Sequence, residues 1–426
     1  MERMVFVYVD LRDAPHLVGR LWARVRKNRE SATFEYDEGW LGHADRFALE
    51  PAMKLDPGPF HTVSDKPLFG AIGDSAPDRW GRALMRRAER RRAERNSQRP
   101  RTLWEIDFLL MVDDEARQGA LRFAEREGGP FLADNAAARI PPLLELPRLL
   151  SAADHVASDS DSDEDMRLLL APGSSLGGAR PKASVRDRDG RLAIAKFPHK
   201  GDEIDIVRWE AVALALAAKA GVSVPGWRLE DIGGRPVLLL RRFDRSGRVR
   251  VPFLSAMSML GASDNEIRSY LEFVDALRQY GAAPREDMRA LWRRIVFNIL
   301  ISNTDDHLRN HGFLYVGADG WRLAPGYDLN PVPIDVKPRV LTNAIDLEDG
   351  TASLERAMDV ADYFEIDAKA ARAIAAEVGK AVRTWRGEAT RHGLSTAEID
   401  RMVSAFEHQD LRAALNPRSG SGKAAR

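Results

Sequence analysis

The stretch Ile301-Ser302-Asn303-Thr304-Asp305-Asp306-His307-Leu308-Arg309-Asn310 decides how the rest of the chain is read. It leaves a segment in which Met288, Leu291, Trp292, Ile295, Val296, Ile299 and Leu300 keep the i, i+3, i+4 rhythm of a buried helix. Two acids, a histidine and an asparagine thus gather just past a buried helix end. The bland reading is a polar helix C-terminus with a satisfied histidine. The sharper one starts from Asp305 and Asn310, five residues apart on what must be irregular backbone, because a helix would turn the pair away from each other.

A protein-kinase catalytic loop has this layout: an Asp orients the substrate hydroxyl and takes its proton, and an Asn five residues on binds Mg²⁺. Working outward, Trp321-Arg322-Leu323-Ala324-Pro325-Gly326-Tyr327-Asp328-Leu329-Asn330-Pro331 follows, with the strand-like FLYV (313–316) between. Asp328 lies 23 residues after Asp305, where kinases place a metal-binding Asp. Tyr-Asp-Leu stands here in place of Asp-Phe-Gly, and an Asx-turn at a strand end is the alternative. Upstream, Gly173-Ser174-Ser175-Leu176-Gly177-Gly178-Ala179-Arg180-Pro181-Lys182 opens a strand. Its backbone N–H groups suit phosphates, although linkers have similar composition. Lys196 shares a strand face with Ile194, among Ala193, Ala195 and Phe197. A lysine there is paired, serves a ligand or snorkels to solvent, since an unpaired buried ammonium is costly. Glu210 on the next helix is the candidate partner, as in the strand-Lys to helix-Glu pair of kinases.

Composition bounds these readings. The chain has 426 residues, 44% hydrophobic and 30% charged, enough for a sizeable core and for two or three domains. Lys+Arg and Asp+Glu are both 64, which excludes a surface built wholly for nucleic acid but allows local patches. Cysteine is absent, so disulfides, thiolate metal sites and cysteine nucleophiles are excluded. No run of 18 apolar residues appears and the start lacks a cleavable signal pattern, so a cytoplasmic protein with no membrane segment is expected. Only 11 of the 64 basic residues are Lys, which makes each lysine in an apolar setting worth notice.

The organisation reads as a β-rich opening region over 1–150, with strands at 4–9, 19–25 and 34–42, and a helix from Asp74 to Arg95. Residues 79–101 hold ten Arg against two Glu, either a solvated face with Glu–Arg pairs or a contact for an acidic partner or phosphate backbone. Residues 151–166 read as an acidic linker or exposed loop. A small lobe spans 167–244: hairpin strands at 182–185 and 191–197, a helix at 206–221, and strands at 227–232 and 236–243. A mainly helical region, 245–415, opens with a capping box at Ser263 and Glu266 ahead of Ile267, Tyr270, Leu271, Val274 and Leu277. A flexible tail occupies 416–426.

Seven features stand in kinase order: Gly-rich loop, strand Lys, helix Glu, second hairpin, helical region, D-x₄-N loop and second Asp. With FGAIGDSAPDRWGR (69–82), DDEARQGALRF (113–123), SSLGGARPK (174–182), LLRRFDR (239–245), NTDDHLRNHGFL (303–314) and APGYDLNP (324–331), the chain resembles the HipA-family toxin kinases of HipBA-type toxin–antitoxin modules over nearly its whole length. The resemblance implies an α/β (α+β), bilobed, kinase-like fold with a β-rich N-terminal subdomain and a helical C-terminal lobe. It implies a serine/threonine protein kinase using ATP and Mg²⁺. Asp305 matches the catalytic Asp. Asn310 and Asp328 match the metal ligands, and Lys196 matches the ATP-phosphate lysine. Ser175 matches the autophosphorylated loop serine, with Ser174 beside it as an ambiguity. Arg241 to Phe243 match the adenine hinge, with Asp244 nearby, and Gly177, Gly178, Ala179 and His307 complete the expected ATP-binding set.

Two departures stand out. Arg241 sits where an acid is common, which leaves only backbone recognition of adenine intact. Asp306 sits where a small residue is common, either as a further metal contact or facing solvent. The implied partners are a HipB-like helix-turn-helix antitoxin, operator DNA mainly through it, and a protein substrate among the aminoacyl-tRNA synthetases, such as glutamyl-tRNA synthetase. The alternatives are a catalytically silent co-repressor acting with a DNA-binding antitoxin, or a small-molecule phosphotransferase.

Overall fold

A computed structural model describes residues 2–64, 66–133, 140–170, 178, 180–317 and 320–416. The chain divides into two compact units: 1–202 with 226–264 and 312–320, and 203–225 with 265–311 and 321–426.

The first unit opens on antiparallel strands β1 (Glu2–Leu11), β2 (Ala14–Arg26), β3 (Arg29–Tyr36), β4 (Pro59–His61) and β5 (Leu121–Ala124), ordered β4-β3-β2-β1-β5. Val5, Val7 and Val9 of β1, Leu21 of β2 and Phe34 of β3 are fully buried, the alternation a strand with one covered face requires. Gly19 leaves β2 room to lie against β3; a Cβ there would lie 2.1 Å from the Glu35 carbonyl oxygen. A second antiparallel sheet is ordered β6-β7-β9-β8, from β6 (Lys182–Arg186), β7 (Leu192–Lys196), β8 (Trp227–Ile232) and β9 (Arg235–Arg241). Ala183 and Val185, Ala193 and Ala195, and Val237 and Leu239 line one face. Against it pack Trp80 and Leu84 of helix α1 (Arg79–Arg95) and apolar residues of α2 (Leu146–Ala157) and α3 (Asp163–Leu170).

Two expectations change here. The acidic stretch 151–166 is not a linker: α2 buries Leu149, Leu150, Ala152, Ala153 and Val156, and α3 buries Met166 and Leu169. Its carboxylates meet the Arg-rich helix. Asp161 lies 2.8 Å from both Arg87 and Arg91, and Asp163 lies 3.2 Å from both Arg91 and Arg95. Arg87 also pairs with Asp159. Glu89 and Arg92 form one pair at helical spacing, and Arg82 and Arg86 lie over the Phe108 ring. The acidic partner of much of this helix is therefore the chain itself.

The second unit is helical: α4 (Ile206–Lys219), α5 (Tyr270–Tyr280), α6 (Pro284–Leu300), α7 (Ala368–Val382) and shorter helices after it. The rhythm of 288–300 is realised in α6, whose Met288, Leu291, Trp292, Ile295, Val296, Ile299 and Leu300 are all buried. A cluster of Trp209, Trp385 and Phe406 fastens α4 to the C-terminal segments, the last two rings stacked at 4.5 Å. The capping box forms six residues later than expected. Ser269 and Glu272 start α5, while Ile267 is 71% exposed. No helix among the described residues is long and apolar enough to cross a membrane.

Candidate active site

The second unit brings Asp305, His307, Asn310 and Asp328 together. α6 ends at Leu300, and Ser302 in a left-handed conformation (φ 53°) turns the chain out of the helix. The turn is fastened on both sides: the Ser302 hydroxyl donates to the Ala405 carbonyl, and Val332 N–H donates to the Ser302 carbonyl. The irregular backbone that the D-x₄-N spacing demands follows. His307 N–H donates to the Asp305 carbonyl at 2.9 Å, Asn310 N–H donates to the His307 carbonyl at 2.8 Å, and Asn310 Nδ2 donates to the Asp305 carbonyl at 2.9 Å. With its amide nitrogen so used, Asn310 has its oxygen left to offer a cation.

Asp305 itself is open, its side chain 69% exposed, with Lys337 Nζ 3.8 Å from Oδ1. Its neighbour is the reverse. Asp306 is 2% exposed and accepts at Oδ2 from Asn298 Nδ2 (2.6 Å), His311 Nε2 (2.9 Å) and the Tyr270 hydroxyl. Burial pushes its carboxyl up, but the His311 ring, the Tyr270 hydroxyl and the Arg294 guanidinium outweigh burial and hold it below the usual range. The Asp306 carbonyl accepts from Asn343 Nδ2 at 2.5 Å. Asp306 therefore does not face solvent, and with three donors on Oδ2 it anchors the loop one residue from Asp305.

Asp328 also adopts the left-handed region (φ 57°), and Asn330 Nδ2 approaches its Oδ1 at 3.4 Å. Its segment is tied to the loop by Asn330 N–H to Asn303 Oδ1 (3.3 Å) and by the Tyr327 hydroxyl to the Arg309 carbonyl (2.8 Å). Buried Asn330 Oδ1 and His307 Nδ1 find no hydrogen-bond partner among the described residues. Oxygens of Asn310 and Asp328 are hard donors of the kind Mg²⁺ takes, one or two from protein and the rest from phosphate and water. No cluster of three or more His, Asp or Glu side chains that could hold a metal alone occurs among the described residues.

The first unit carries the other expected residues. Lys196 ends β7, opposite Leu238 of β9 and Lys182 of β6. Lys182 is buried and salt-bridged to Asp78 at 2.8 Å, and Asp78 also caps α1 by accepting from Gly81 N–H. The Trp80 indole donates to the Lys182 carbonyl, and Trp80 N–H approaches the Gly178 carbonyl at 3.4 Å. The start of α1 thus grips the exit of the Gly-rich segment. Gly178 has φ +93°. Ser174, Ser175, Gly177 and Ala179 lie outside the described residues. Glu210, the expected partner of Lys196, is buried on α4 in the other unit.

Arg241 is exposed, its N–H donating to the Gly226 carbonyl and its guanidinium to Asp189. Phe243 lies near the Phe253 ring, with centroids 6.2 Å apart. Asp244 departs from its expected place in the nucleotide set. It is 2% exposed and accepts from Arg242 Nε and Nη2, Arg245 Nη1 and Gly119 N–H at 2.5–2.8 Å. Arg242 and Arg245 donate in turn to the carbonyls of Ala116 and Arg117. The segments 113–123 and 239–245 thus meet as one buried ionic cluster, which leaves Asp244 no oxygen for a ligand.

Two positions near the site escaped the sequence reading: Lys337, whose only signal was the scarcity of lysine, and Asn343, which carried none. The comparisons with known proteins bear on the whole chain. Residues 11–106 match the family profile described as HipA N-terminal domain, and residues 174–385 match the HipA-like C-terminal domain. The chain belongs to the HipA family. A relative from Sinorhizobium fredii named "Putative kinase Y4mE" is 25% identical over 343 residues, 73% of this chain and 75% of that one. A Haemophilus influenzae protein named "Putative kinase" is 29% identical over 151 residues, 32% of this chain and 43% of its own length. The solved structure of HipA from Shewanella oneidensis MR-1, in a complex with HipB and operator DNA, superposes with a TM-score of 0.65 at 16% identity. The match covers 96% of each chain. This chain shares the HipA fold, with a β-rich N-terminal part and a helical C-terminal part.

Proposed function

We propose that this HipA-family chain is an ATP-dependent serine/threonine protein kinase. The observation that carries the reading is the loop after α6: an exposed Asp305 carboxylate whose own carbonyl holds Asn310, with the Asp328 segment tied alongside. Asp305 orients the substrate hydroxyl and accepts its proton. Asn310 and Asp328 hold Mg²⁺, which when bound neutralises charge on the β- and γ-phosphates. Lys196 meets the α/β-phosphates, the backbone of 241–243 meets adenine, and the Gly-rich segment with Ser175 covers the phosphates. Such a reaction passes through a loose transition state, so positioning and charge neutralisation do most of the work.

Autophosphorylation on Ser175 would place roughly −1.5 to −2 charge beside the phosphate site and silence it. As partners we propose a HipB-like helix-turn-helix antitoxin, operator DNA through it, and an aminoacyl-tRNA synthetase as substrate. The reading is supported by family membership, by relatives named as kinases and by the HipB and DNA that accompany the Shewanella protein. The test is nucleotide binding and transfer by the purified chain. Binding of ATP should require Mg²⁺. Asp305→Gln should keep binding and lower transfer by about 10²–10⁴-fold, the range for a lost general base. Asp328→Asn should weaken Mg-ATP binding itself. Transfer at the parent rate by Asp305→Gln would overturn the assignment.

A further inference from the structure

Lys337 stands beside Asp305 because its neighbours put it there. Arg339 donates to the Ser302 hydroxyl and the Ile299 carbonyl at 3.0 Å each and pairs with Asp410 at 2.7 Å. Thr342 Oγ1 donates to the Thr304 carbonyl at 3.0 Å. On the other side, Val336 and Lys337 N–H donate to the Pro333 carbonyl, closing a turn. Between these fastenings the Lys337 side chain, 42% exposed, donates to the Thr304 carbonyl at 3.3 Å and lies 3.8 Å from Asp305 Oδ1. The 3.8 Å separation is an ion pair, longer than a hydrogen bond. An ammonium has three donors, and one of them is accounted for by Thr304.

Asp305 is an exposed carboxylate, and a nucleoside triphosphate brought to it is a polyanion, so the two repel unless a cation stands between them. A lysine suits that place better than an arginine. Its charge is compact and its three donors rotate, so it can share itself between a carboxylate and a phosphoryl oxygen. In a chain with 53 Arg and 11 Lys, a lysine holds this position.

We propose that Lys337 is a further catalytic residue, its ammonium touching the terminal phosphoryl group of the nucleotide while steadying Asp305. This rests on the kinase reading above. In the step, the substrate hydroxyl oxygen forms the new P–O bond, and the bridging bond to the β-phosphate breaks with its electron pair leaving on ADP. The hydroxyl proton passes to Asp305. The Lys337 ammonium neutralises charge on the phosphoryl oxygens and takes no part in the proton transfer.

The test uses an acyl-phosphate derivative of ATP with Mg²⁺, whose acyl group sits at the terminal phosphate. A nearby lysine amine attacks the acyl carbonyl, forms an amide and releases ATP, and peptide mapping identifies the lysine. Lys337 and Lys196 should both be modified, and excess ATP should protect both. Modification of Lys196 without Lys337 would overturn the proposal and leave the nucleotide site standing. Modification of neither would overturn the kinase reading and this proposal with it. Independently, Lys337→Met should lower single-turnover phosphoryl transfer to the chain itself by about 10²-fold. Its affinity for a fluorescent ATP analogue should stay within about 3-fold, and Lys337→Arg should recover part of the rate. A lysine that merely tethered the loop would give Met and Arg variants equally slow, and an undiminished Met variant would also overturn the role. Should the Met variant fail to fold, the labelling of the parent chain decides.

Discussion

Asp244 and Asp305 both lie in family-like segments, and their surroundings are opposite. Asp244 is sealed in the first unit with four donors from Arg242, Arg245 and Gly119 on its two oxygens. Burial pushes its carboxyl up, and the two guanidiniums beside it overcome burial and hold it far below the ordinary range. Asp305 in the second unit is mostly exposed, with the Lys337 ammonium at ion-pair distance. One carboxylate is consumed by the fold; the other is kept available at the cost of a turn, an anchor and a neighbouring lysine. A shared motif therefore does not say which aspartate is open to a ligand; satisfaction of its oxygens does.

The two carboxylates should differ most in what their loss does to stability. Asp244→Asn leaves Arg242 and Arg245 as buried charges without their counter-ion, a loss of about 3–5 kcal/mol. Asp305→Asn removes an exposed carboxylate and should stay within about 0.5 kcal/mol of the parent. Denaturant unfolding, with hydrogen exchange read over 113–123 and 239–245, checks both. Equal losses for the two variants would mean that Asp305 is held as tightly as Asp244, and the contrast would fail.

A smaller effect sharpens the same lesson within α1. Arg91 reaches Asp161, whose side chain is fully buried, while Arg90 is exposed. Arg91→Glu should destabilise the packing of α2 and α3 by about 2–3 kcal/mol, because it puts a like charge against a buried carboxylate. Arg90→Glu should change it by no more than about 0.5 kcal/mol. Exchange protection over 146–170 separates the two, and a change within about 0.5 kcal/mol in both would return the helix to a uniformly solvated face.

Much of this was legible in the sequence, for local reasons. The i, i+3, i+4 run of α6 had to be a buried helix, and the loop after it had to be irregular for Asp305 and Asn310 to face one site. What escaped depends on distance along the chain. The acidic stretch 151–166 reads as a linker by composition, since its charge partners lie about 70 residues upstream. The ten arginines of 79–101 were the signal that could have joined the two. The stretch 263–272 holds two Ser-x-x-Glu patterns, and only packing chooses Ser269 and Glu272 by leaving Ile267 in solvent. Asp306 reads as a surplus charge until Tyr270, Asn298 and His311 converge on it, and that convergence is tertiary.

The smallest expected effect concerns a third kind of carboxylate, buried with no guanidinium paired to it among the described residues. Glu50 is 7% exposed and accepts from Ala71 N–H at 2.6 Å. Burial, aided by Asp74 and opposed by the Ala71 N–H and the Lys66 ammonium, leaves its carboxyl pushed up to about 7. Because the folded value lies above the ordinary 4.5, the folded chain binds this proton more tightly than the unfolded chain does. Stability from this group is therefore greatest below about 4.5, falls as pH rises towards 7, and stays at its lowest above that. The shift corresponds to roughly 3 kcal/mol as a ceiling. Gln keeps the acceptor for Ala71 but adds an amide that needs partners, so Glu50→Gln should gain about 1–2 kcal/mol at pH 8 and almost nothing at pH 5. Melting temperatures across that range check it. A gain independent of pH would mean the group is ionised throughout, as Asp244 is, and that its burial is compensated by charge after all.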